Sequence, residues 1–485
     1  MTEEKLNASG TMSDGSNLTE SEKNTSTSTQ KNTLKVRDDH FPVYFESSGE
    51  EGKFTLCADS KASWTNEGQP FSHKELRSRV EPWLTSLFQS EHLSLLAGSG
   101  LTHAVHYIAA GKAATDMTGA VTTGDDNNKI VIAAKDSAVK AGRENPNIED
   151  QLRVANELLR GLEIVGENIR ANTLRDDIDA TLQRFAQSIL TSETGIATAK
   201  EPQRERAFNT LVTFLMSFAS RSGVRDRLNI FTTNYDRLIE AGAELAGLHL
   251  LDRFLGNLMP IFRSSRLDLD MHYNPPGIRG EPRYLEGVTR FTKLHGSVDW
   301  VQTDKDIRRL GLPFGAEQVE PYLKAPGLNN ASAHALMIYP NAAKDRETSD
   351  YPYVELFRDL AAAICRPNST LVTYGYSFGD EHINRVIRDM LTIPSTHLVV
   401  ISYNDPQGRI MKTYKELGRD SQISLMIGPD LSDLQTLTET FLPKAAIDKT
   451  TFRMSELLKQ RFGSEQHPAS TENKNKDGVS VDDLT

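Results

Sequence analysis

The sequence predicts an α/β protein built on a doubly wound, mostly parallel, Rossmann-like sheet. Short apolar runs alternate with longer helical patterns along the chain, which is the order expected when helices connect neighbouring parallel strands. Several runs are continuously apolar rather than alternating, as strands covered on both faces are. Between about residues 147 and 225 the pattern is helical throughout, which we interpret as an insertion between two strands.

Most of the predicted strands end in a short stretch that contains glycine or polar residues. The strands are HLSLLAGSG (92–100), LNIFTTNYD (228–236), RFTKLHGS (290–297), HALMIYP (334–340), TLVTYGYSFGD (370–380) and THLVVISYND (396–405), with QISLMIGPD (422–430) as a weaker candidate. Each ending lies at the carboxyl end of its predicted strand. The endings are GSG, TTNYD, HGS, GYS and SYND. Because open parallel sheets bind ligands outside the carboxyl ends of their strands, these endings predict a binding site at one edge of the sheet.

The composition excludes several classes of protein. With 38% apolar and 25% charged residues, the chain is an ordinary globular sequence. A formal net charge of −11 argues against broad binding of nucleic acid through its phosphates. The sequence shows no run of about 18 apolar residues and no secretory signal, so we expect a cytoplasmic protein without a membrane span. The two cysteines, Cys57 and Cys365, cannot form a four-cysteine zinc site, and we expect no metal.

The chain is expected to contain one large domain between two tails. Residues 1–38 and 461–485 are polar and almost empty of large apolar groups. Such segments cannot bury enough surface to offset the entropy lost on ordering, so we predict that both are disordered. The domain spans residues 39–460 and includes the helical insertion, whose apolar spacing is explained by core packing.

The polar endings contain candidate site residues, and several also have a structural interpretation. Gly98 and Gly100 let the backbone approach a ligand, with helix-start amides that favour an anion, but a tight strand-to-helix turn explains them equally well. Asp236 fits a helix cap, and so does Asp380, which we interpret as structural together with Glu381. A lone histidine such as His295 is more often a packed ring.

Taken together and in chain order, these motifs resemble the sirtuin family. GSGLT (98–102) is similar to the glycine loop that binds phosphate in that family, and TTNYD (232–236) to its Thr-Gln-Asn-x-Asp motif. KLHGS (293–297) resembles the Leu-His-Gly motif that carries the catalytic histidine. GYSF (375–378) resembles a Gly-Thr-Ser-Leu turn, and Asn404 matches the asparagine after the next strand. The order agrees across roughly residues 92–405.

Two departures separate the chain from the protein deacylases of the family. These enzymes carry a zinc module of four cysteines, and they have a Pro-Asp-Phe-Arg stretch where this chain has HAVHYIAAGKAATDM. The chain resembles instead the bacterial sirtuin-like defence proteins, which hydrolyse NAD when phage infection is sensed. This resemblance lies in the stretches TTNYDRLIE, LHGSVDW and GYSFGDEH. That resemblance implies an NAD glycohydrolase that forms a homo-oligomer, with a separate HerA-type ATPase as its partner.

The resemblance also implies a role for each matching residue. Asn234 would position water and ribose, Asp236 would contact the carboxamide, and His295 would accept a proton, as a group titrating near neutral pH can. The remaining residues would bind NAD, the pyrophosphate and adenosine ribose in particular: Gly98, Ser99, Gly100, Thr102, Gly375, Ser377 and Asn404. Two alternatives stay open, a non-catalytic module that senses NAD or ADP-ribose and, disfavoured by the cysteine count, an NAD-dependent protein deacylase.

Overall fold

The computed structural model describes residues 31–36, 39–58, 60–114, 124–140, 146, 148–221, 225–264, 270–273, 283–285, 287–303, 305–328, 332–333 and 351–444. The predicted strand HALMIYP (334–340), the predicted C-terminal tail and most of the N-terminal one lie outside these residues. None of the helices in the described ranges is long and apolar enough to cross a lipid bilayer.

The strands in these ranges are β1 (Asn32–Lys35), β2 (Val43–Ser47), β3 (Lys53–Leu56), β4 (Phe71–Ser72), β5 (His92–Ala97), β6 (Asn229–Thr232), β7 (His249–Leu251), β8 (Phe254–Leu255), β9 (Ile261–Phe262), β10 (His272–Tyr273), β11 (Arg283–Tyr284), β12 (Val288–Lys293), β13 (Trp300–Gln302), β14 (Ile307–Arg309), β15 (Ser332–Ala333), β16 (Ser369–Tyr374), β17 (His397–Ser402) and β18 (Ile423–Ile427). The α-helices are α1 (His73–Phe88), α2 (Ser99–Ala110), α3 (Asn127–Lys140), α4 (Ile148–Val165), α5 (Asn168–Ala197), α6 (Glu201–Ala219), α7 (Leu238–Leu245), α8 (Tyr353–Ile364), α9 (Glu381–Met390), α10 (Arg409–Leu417), α11 (Pro429–Ser432) and α12 (Leu434–Thr436).

The main sheet has the strand order β4-β3-β2-β1-β18-β17-β16-β5-β6-β12-β7. From β18 to β7 all neighbours are parallel, and β1 to β4 extend the sheet in antiparallel fashion. Helices α1, α2, α6 and α7 pack on one face, and α8, α9 and α10 pack on the other. The fold class predicted from the sequence is therefore confirmed.

The winding of the chain selects one place in the sheet for a ligand. After β5 the chain runs outward through β6 to β12, and it then returns to the other side of β5 for β16, β17 and β18. Every residue of β5 and β16 is buried, which explains their continuous apolar runs. The strand order reverses between these two strands, and ligands of doubly wound sheets bind at such a point, outside the carboxyl ends.

The prediction that residues 1–38 are disordered is wrong at the carboxyl end of this segment. Asn32–Lys35 form β1, which pairs with β2 and β18, and Leu34 is fully buried. Nδ2 of Asn32 also bonds Oδ2 of Asp430 at 2.8 Å. The strand was hard to predict because the apolar positions around β1 are few. A strand added to an existing sheet is held mainly by backbone hydrogen bonds, which any residue except proline can make.

The predicted helical stretch divides between two cores. Helices α3, α4 and α5 pack around an apolar cluster that also contains Tyr235 and Val298, next to β6 and β12. Helix α6 packs instead on the main sheet, through Leu211 and Phe214 among others. The helices before α6 therefore form a separate layer, and this layer contacts the carboxyl edge of the sheet.

Acid is expected to destabilise the protein through His397, at the amino end of β17. Burial, together with the charge of nearby Lys35, lowers the pKa of His397 to about 4. Its ring lies edge-on to Trp83 and its Nε2 lies 2.8 Å from Oγ of Ser424. An unfolded histidine titrates near pH 6.5, so stability is full above about pH 6.5 and falls by up to about 3 kcal/mol as the pH drops through about 4.

Urea unfolding at about pH 7 and about pH 4.5 measures this effect. The loss of stability between the two pH values should be smaller by about 2–3 kcal/mol in His397→Gln, which cannot take up the proton. An equal loss in the variant would contradict the assignment.

Candidate active site

The fold brings the predicted site residues to one edge of the sheet. Asn234 and Asp236 follow β6, and His295 follows β12. Ser377 follows β16 and Asn404 follows β17, while Ser99 is the first residue of α2, directly after β5. Since all these strands are parallel, their carboxyl ends meet at the same edge.

Asn234 is a buried amide held in one orientation. Its Nδ2 donates to the carbonyl oxygen of Gly98 and to Oγ1 of Thr102, both at 3.0 Å. A side-chain amide nitrogen has two hydrogens, and both are used. The carbonyl oxygen Oδ1 is therefore the atom of this amide that can accept a hydrogen bond from a ligand or a water molecule.

Asp236 lies just before α7, and both of its carboxylate oxygens accept hydrogen bonds. Its Oδ1 accepts the N–H of Leu238, the first residue of α7, at 3.1 Å, while Arg237 occupies the N-cap position of that helix. Its Oδ2 accepts the hydroxyl of Thr102 at 2.6 Å. Thr102 thus joins Asn234 to Asp236, a structural link that the resemblance, which placed Thr102 among the NAD-binding residues, did not indicate.

His295 is paired with a carboxylate that the sequence did not reveal as part of the site. Its Nε2 lies 2.8 Å from Oδ2 of Asp380, and the two side chains are exposed by 3% and 5%. Asp380 caps α9 as predicted, because its Oδ1 accepts the N–H of His382 at 3.0 Å. Its second oxygen contacts His295, a partner that the interpretation of Asp380 as a helix cap did not include. The pair spans the carboxyl ends of β5 and β6, which lie between β12 and β16.

Tyr376 fixes the backbone around Asp380. Its hydroxyl lies 3.2 Å from the carbonyl oxygen of Asp380 and 3.1 Å from Oδ1 of Asn384. Burial, with the nearby charge of Asp380, holds the pKa of Tyr376 well above its ordinary value, so the hydroxyl keeps its proton as a donor. The carboxylate that meets His295 is therefore anchored from both its side chain and its backbone.

The glycines of two neighbouring loops touch each other. The N–H groups of Gly98 and Gly100 donate to the carbonyl oxygens of Tyr374 and Gly375, at 2.9 and 3.1 Å. A Cβ on Gly98 would clash with the carbonyl oxygen of Gly375. A Cβ on Gly100 would lie 2.6 Å from the Cα of Gly375. Because both contacts are with backbone atoms, only glycine fits at these positions.

Residues 228–421 match the family model of the SIR2-like domain. The chain contains a SIR2-like domain. The matched range contains TTNYD, KLHGS, GYSF and Asn404, whereas GSGLT lies before it. No curated protein matches the chain. A SIR2-like domain implies NAD binding and an NAD-using enzyme.

The contacts of the glycine loop correct one part of the predicted NAD site. The predicted pyrophosphate site consists of the amides of Gly98, Ser99 and Gly100, but the amides of Gly98 and Gly100 are each bonded to a backbone carbonyl. The two glycines are better explained by the close approach to Gly375, whose φ is +61°. Ser99, exposed at the N-terminus of α2, remains the group of this loop that faces solvent.

The other predicted NAD-binding residues lie on the surface around the buried network. Ser377 is half-buried and Asn404 is exposed, each on the loop after its strand. Arg409, at the start of α10, was missed: its Nη1 would lie 3.1 Å from a Cβ placed on Gly379, in the same loop as Ser377. An arginine beside this loop adds positive charge where a phosphate is expected, and a basic residue soon after SYND was the available signal.

The lysine of KLHGS holds the turn that carries Asp236. Nζ of Lys293 donates to the backbone oxygen of Asp236 and lies 3.0 Å from Oε1 of Glu240. Within the described ranges, no cluster of three or more His, Cys, Asp or Glu side chains is placed to hold a metal ion. The polar side chains at this edge bond one another, as in the His295–Asp380 pair and the series Asn234–Thr102–Asp236.

Proposed function

We propose that the protein is an NAD glycohydrolase, which uses water to cleave the nicotinamide–ribose bond and releases nicotinamide and ADP-ribose. The observation that carries the proposal is the buried His295–Asp380 pair, at the same sheet edge as the oriented amide of Asn234, where NAD is expected to bind. Recognition of a dinucleotide requires no buried histidine–carboxylate pair. Such a pair can accept a proton during hydrolysis, which favours the enzyme over a sensing module.

The reaction consumes one water molecule and produces one proton. When the glycosidic bond breaks, its electron pair leaves with nicotinamide and positive charge develops on the ribose carbon, as in glycoside hydrolysis. The water oxygen then bonds to that carbon and loses a proton. His295 accepts this proton or that of a ribose hydroxyl, and Asp380 orients the imidazole and stabilises its charged form.

Asn234 and Asp236 have different tasks in this scheme. The oxygen Oδ1 of Asn234 accepts a hydrogen bond from the water or a ribose hydroxyl, since the amide nitrogen is committed to Gly98 and Thr102. Each carboxylate oxygen of Asp236 accepts one hydrogen bond within the protein, and each can accept a second. The Asp236 carboxylate can therefore also accept from the carboxamide of nicotinamide.

Product analysis tests the proposal. The protein is incubated with NAD, with and without its HerA-type ATPase partner and with and without an acetyl-lysine peptide, and nicotinamide and ADP-ribose are measured by chromatography. We expect equal amounts of the two products, independent of the peptide. Nicotinamide release that requires the peptide would indicate a deacylase, and NAD binding without turnover would indicate a sensing module.

We further propose that NAD depletion serves antiphage defence and that a HerA-type ATPase controls it in a self-assembled complex. The support is the similarity of TTNYDRLIE, LHGSVDW and GYSFGDEH to the bacterial sirtuin-like defence proteins. Cellular NAD should fall after phage infection in cells that carry the protein and its ATPase partner, and it should stay constant with His295→Ala. Constant NAD in both would contradict the defence role.

A further inference from the structure

The helical insertion reaches the candidate active site through one buried side chain. Glu193, on α5, accepts the backbone N–H of Arg237 at 2.7 Å and its Nε at 3.2 Å, and Nη2 of Arg237 bonds its second oxygen. The exposed fractions of the Arg237 and Glu193 side chains are 6% and 1%. Arg237 follows Asp236 directly in the chain, so this contact lies beside the site.

Arg237 also connects the site to the segment after β14. Its guanidinium donates to the backbone oxygen of Leu312 and, at 3.1 Å, to that of Pro313. Removing two charges from water offsets much of their attraction, so a buried ion pair contributes little to stability compared with apolar residues of the same volume. A function in fixing the geometry of the turn accounts for this pair better than a contribution to stability.

A chain of aromatic contacts follows the same route. The ring of Phe185, also on α5, meets that of Tyr235 edge-on, with 5.4 Å between ring centres. The Tyr235 ring lies 6.2 Å from that of His295. The backbone oxygen of Tyr235 accepts the N–H of Val298 at 3.0 Å, just after the LHG motif. Helix α5 thus supports both the turn with Asn234 and Asp236 and the histidine.

We propose that Glu193 is a positioning residue for catalysis, through which α5 of the helical insertion forms part of the active site. The inference rests on the proposed NAD hydrolysis. Glu193 acts through Arg237: it fixes the backbone of the turn from one side while Lys293 fixes it from the other. The turn can then hold Asn234 and Asp236 in the geometry that the reaction requires, because small displacements of such groups strongly reduce rates.

Two variants alter the contact in different ways. Glu193→Gln keeps the shape and removes the charge, whereas the double variant Glu193→Met, Arg237→Met removes both charges, so that neither is left buried alone. Asp176→Asn, which removes an exposed acid of the same helix, is the matched control. The measurements are kcat and KM for nicotinamide release, the thermal midpoint, and amide hydrogen exchange of peptides covering residues 232–240.

We expect kcat to fall by about 10- to 100-fold in both variants, with little change in KM, and residues 232–240 to exchange faster. The control should behave as the wild type. A folded double variant with kcat within about twofold of the wild type would overturn the inference, because a purely structural pair is dispensable once the protein folds. If Glu193→Gln does not fold, the double variant decides alone.

The exchange measurement separates this inference from the proposed function. If the wild type releases no nicotinamide, NAD hydrolysis is wrong, and the exchange of residues 232–240 then decides whether Glu193 positions the turn. Faster exchange in the folded double variant supports that position, and exchange at the wild-type rate overturns it.

Discussion

Replacing His295 by alanine or glutamine is expected to lower the rate of nicotinamide release by about 10³-fold, while NAD still binds. Neither side chain can accept a proton near neutral pH. Glutamine keeps a donor for the buried carboxylate of Asp380, which alanine leaves without its partner. His295→Gln therefore separates the loss of proton transfer from a loss of folding.

Single-turnover rates and NAD titrations of the two variants measure this effect. His397→Gln is the matched control, since it removes a half-buried histidine at the opposite end of the sheet. Release at the wild-type rate by folded His295→Gln would show that the histidine is only a packed ring.

Replacing Asp380 by asparagine is expected to lower kcat by about 10²- to 10⁴-fold with little change in stability. Asparagine caps a helix as well as aspartate does, so the bond to the N–H of His382 is kept. What is lost is the charge that orients His295 and stabilises its protonated form. The change thus removes one of the two functions of Asp380.

The thermal midpoint provides a second measurement on Asp380→Asn. We expect it to stay close to that of the wild type, because the helix cap is kept. A lower thermal midpoint with unchanged kcat would instead assign Asp380 to the helix cap alone.

The sheet and the position of the site could be predicted because their signals are local. Buried parallel strands leave continuous apolar runs, and β5, β6, β12, β16 and β17 each coincide with one. The side chains after these strands then lie at one edge by the geometry of parallel pairing. Asn234 and His295 could be found in this way without knowledge of any contact between them.

The pairings within the site could not be predicted, because they join distant parts of the chain. His295 and Asp380 are 85 residues apart, and the local sequence around Asp380 correctly indicated a cap but left its second oxygen unassigned. Glu193 and Arg237 lie on separate elements in the same way. A one-dimensional pattern shows which side chains can bond, and the fold decides which partners they meet.

In the glycine loop, the local sequence predicted a function that the folded structure does not support. The predicted function was phosphate binding by backbone amides. Amides at a strand-to-helix turn are typical of a phosphate site. Here the N–H groups of Gly98 and Gly100 bond the carbonyls of β16 and its following turn. Whether such amides are free to bind a phosphate depends on the neighbouring strand β16. That strand lies more than two hundred residues later in the sequence.

Nicotinamide release from NAD by the wild type and by Asn234→Ala is the decisive test of NAD hydrolysis at this site. Asn234 has no assigned function apart from the orientation of water and ribose, and its side-chain contacts are all within the site. With the folding of both proteins checked by their thermal midpoints, we expect release by the wild type and a rate lower by about 10²- to 10³-fold for the variant. Undiminished release by Asn234→Ala would contradict the account.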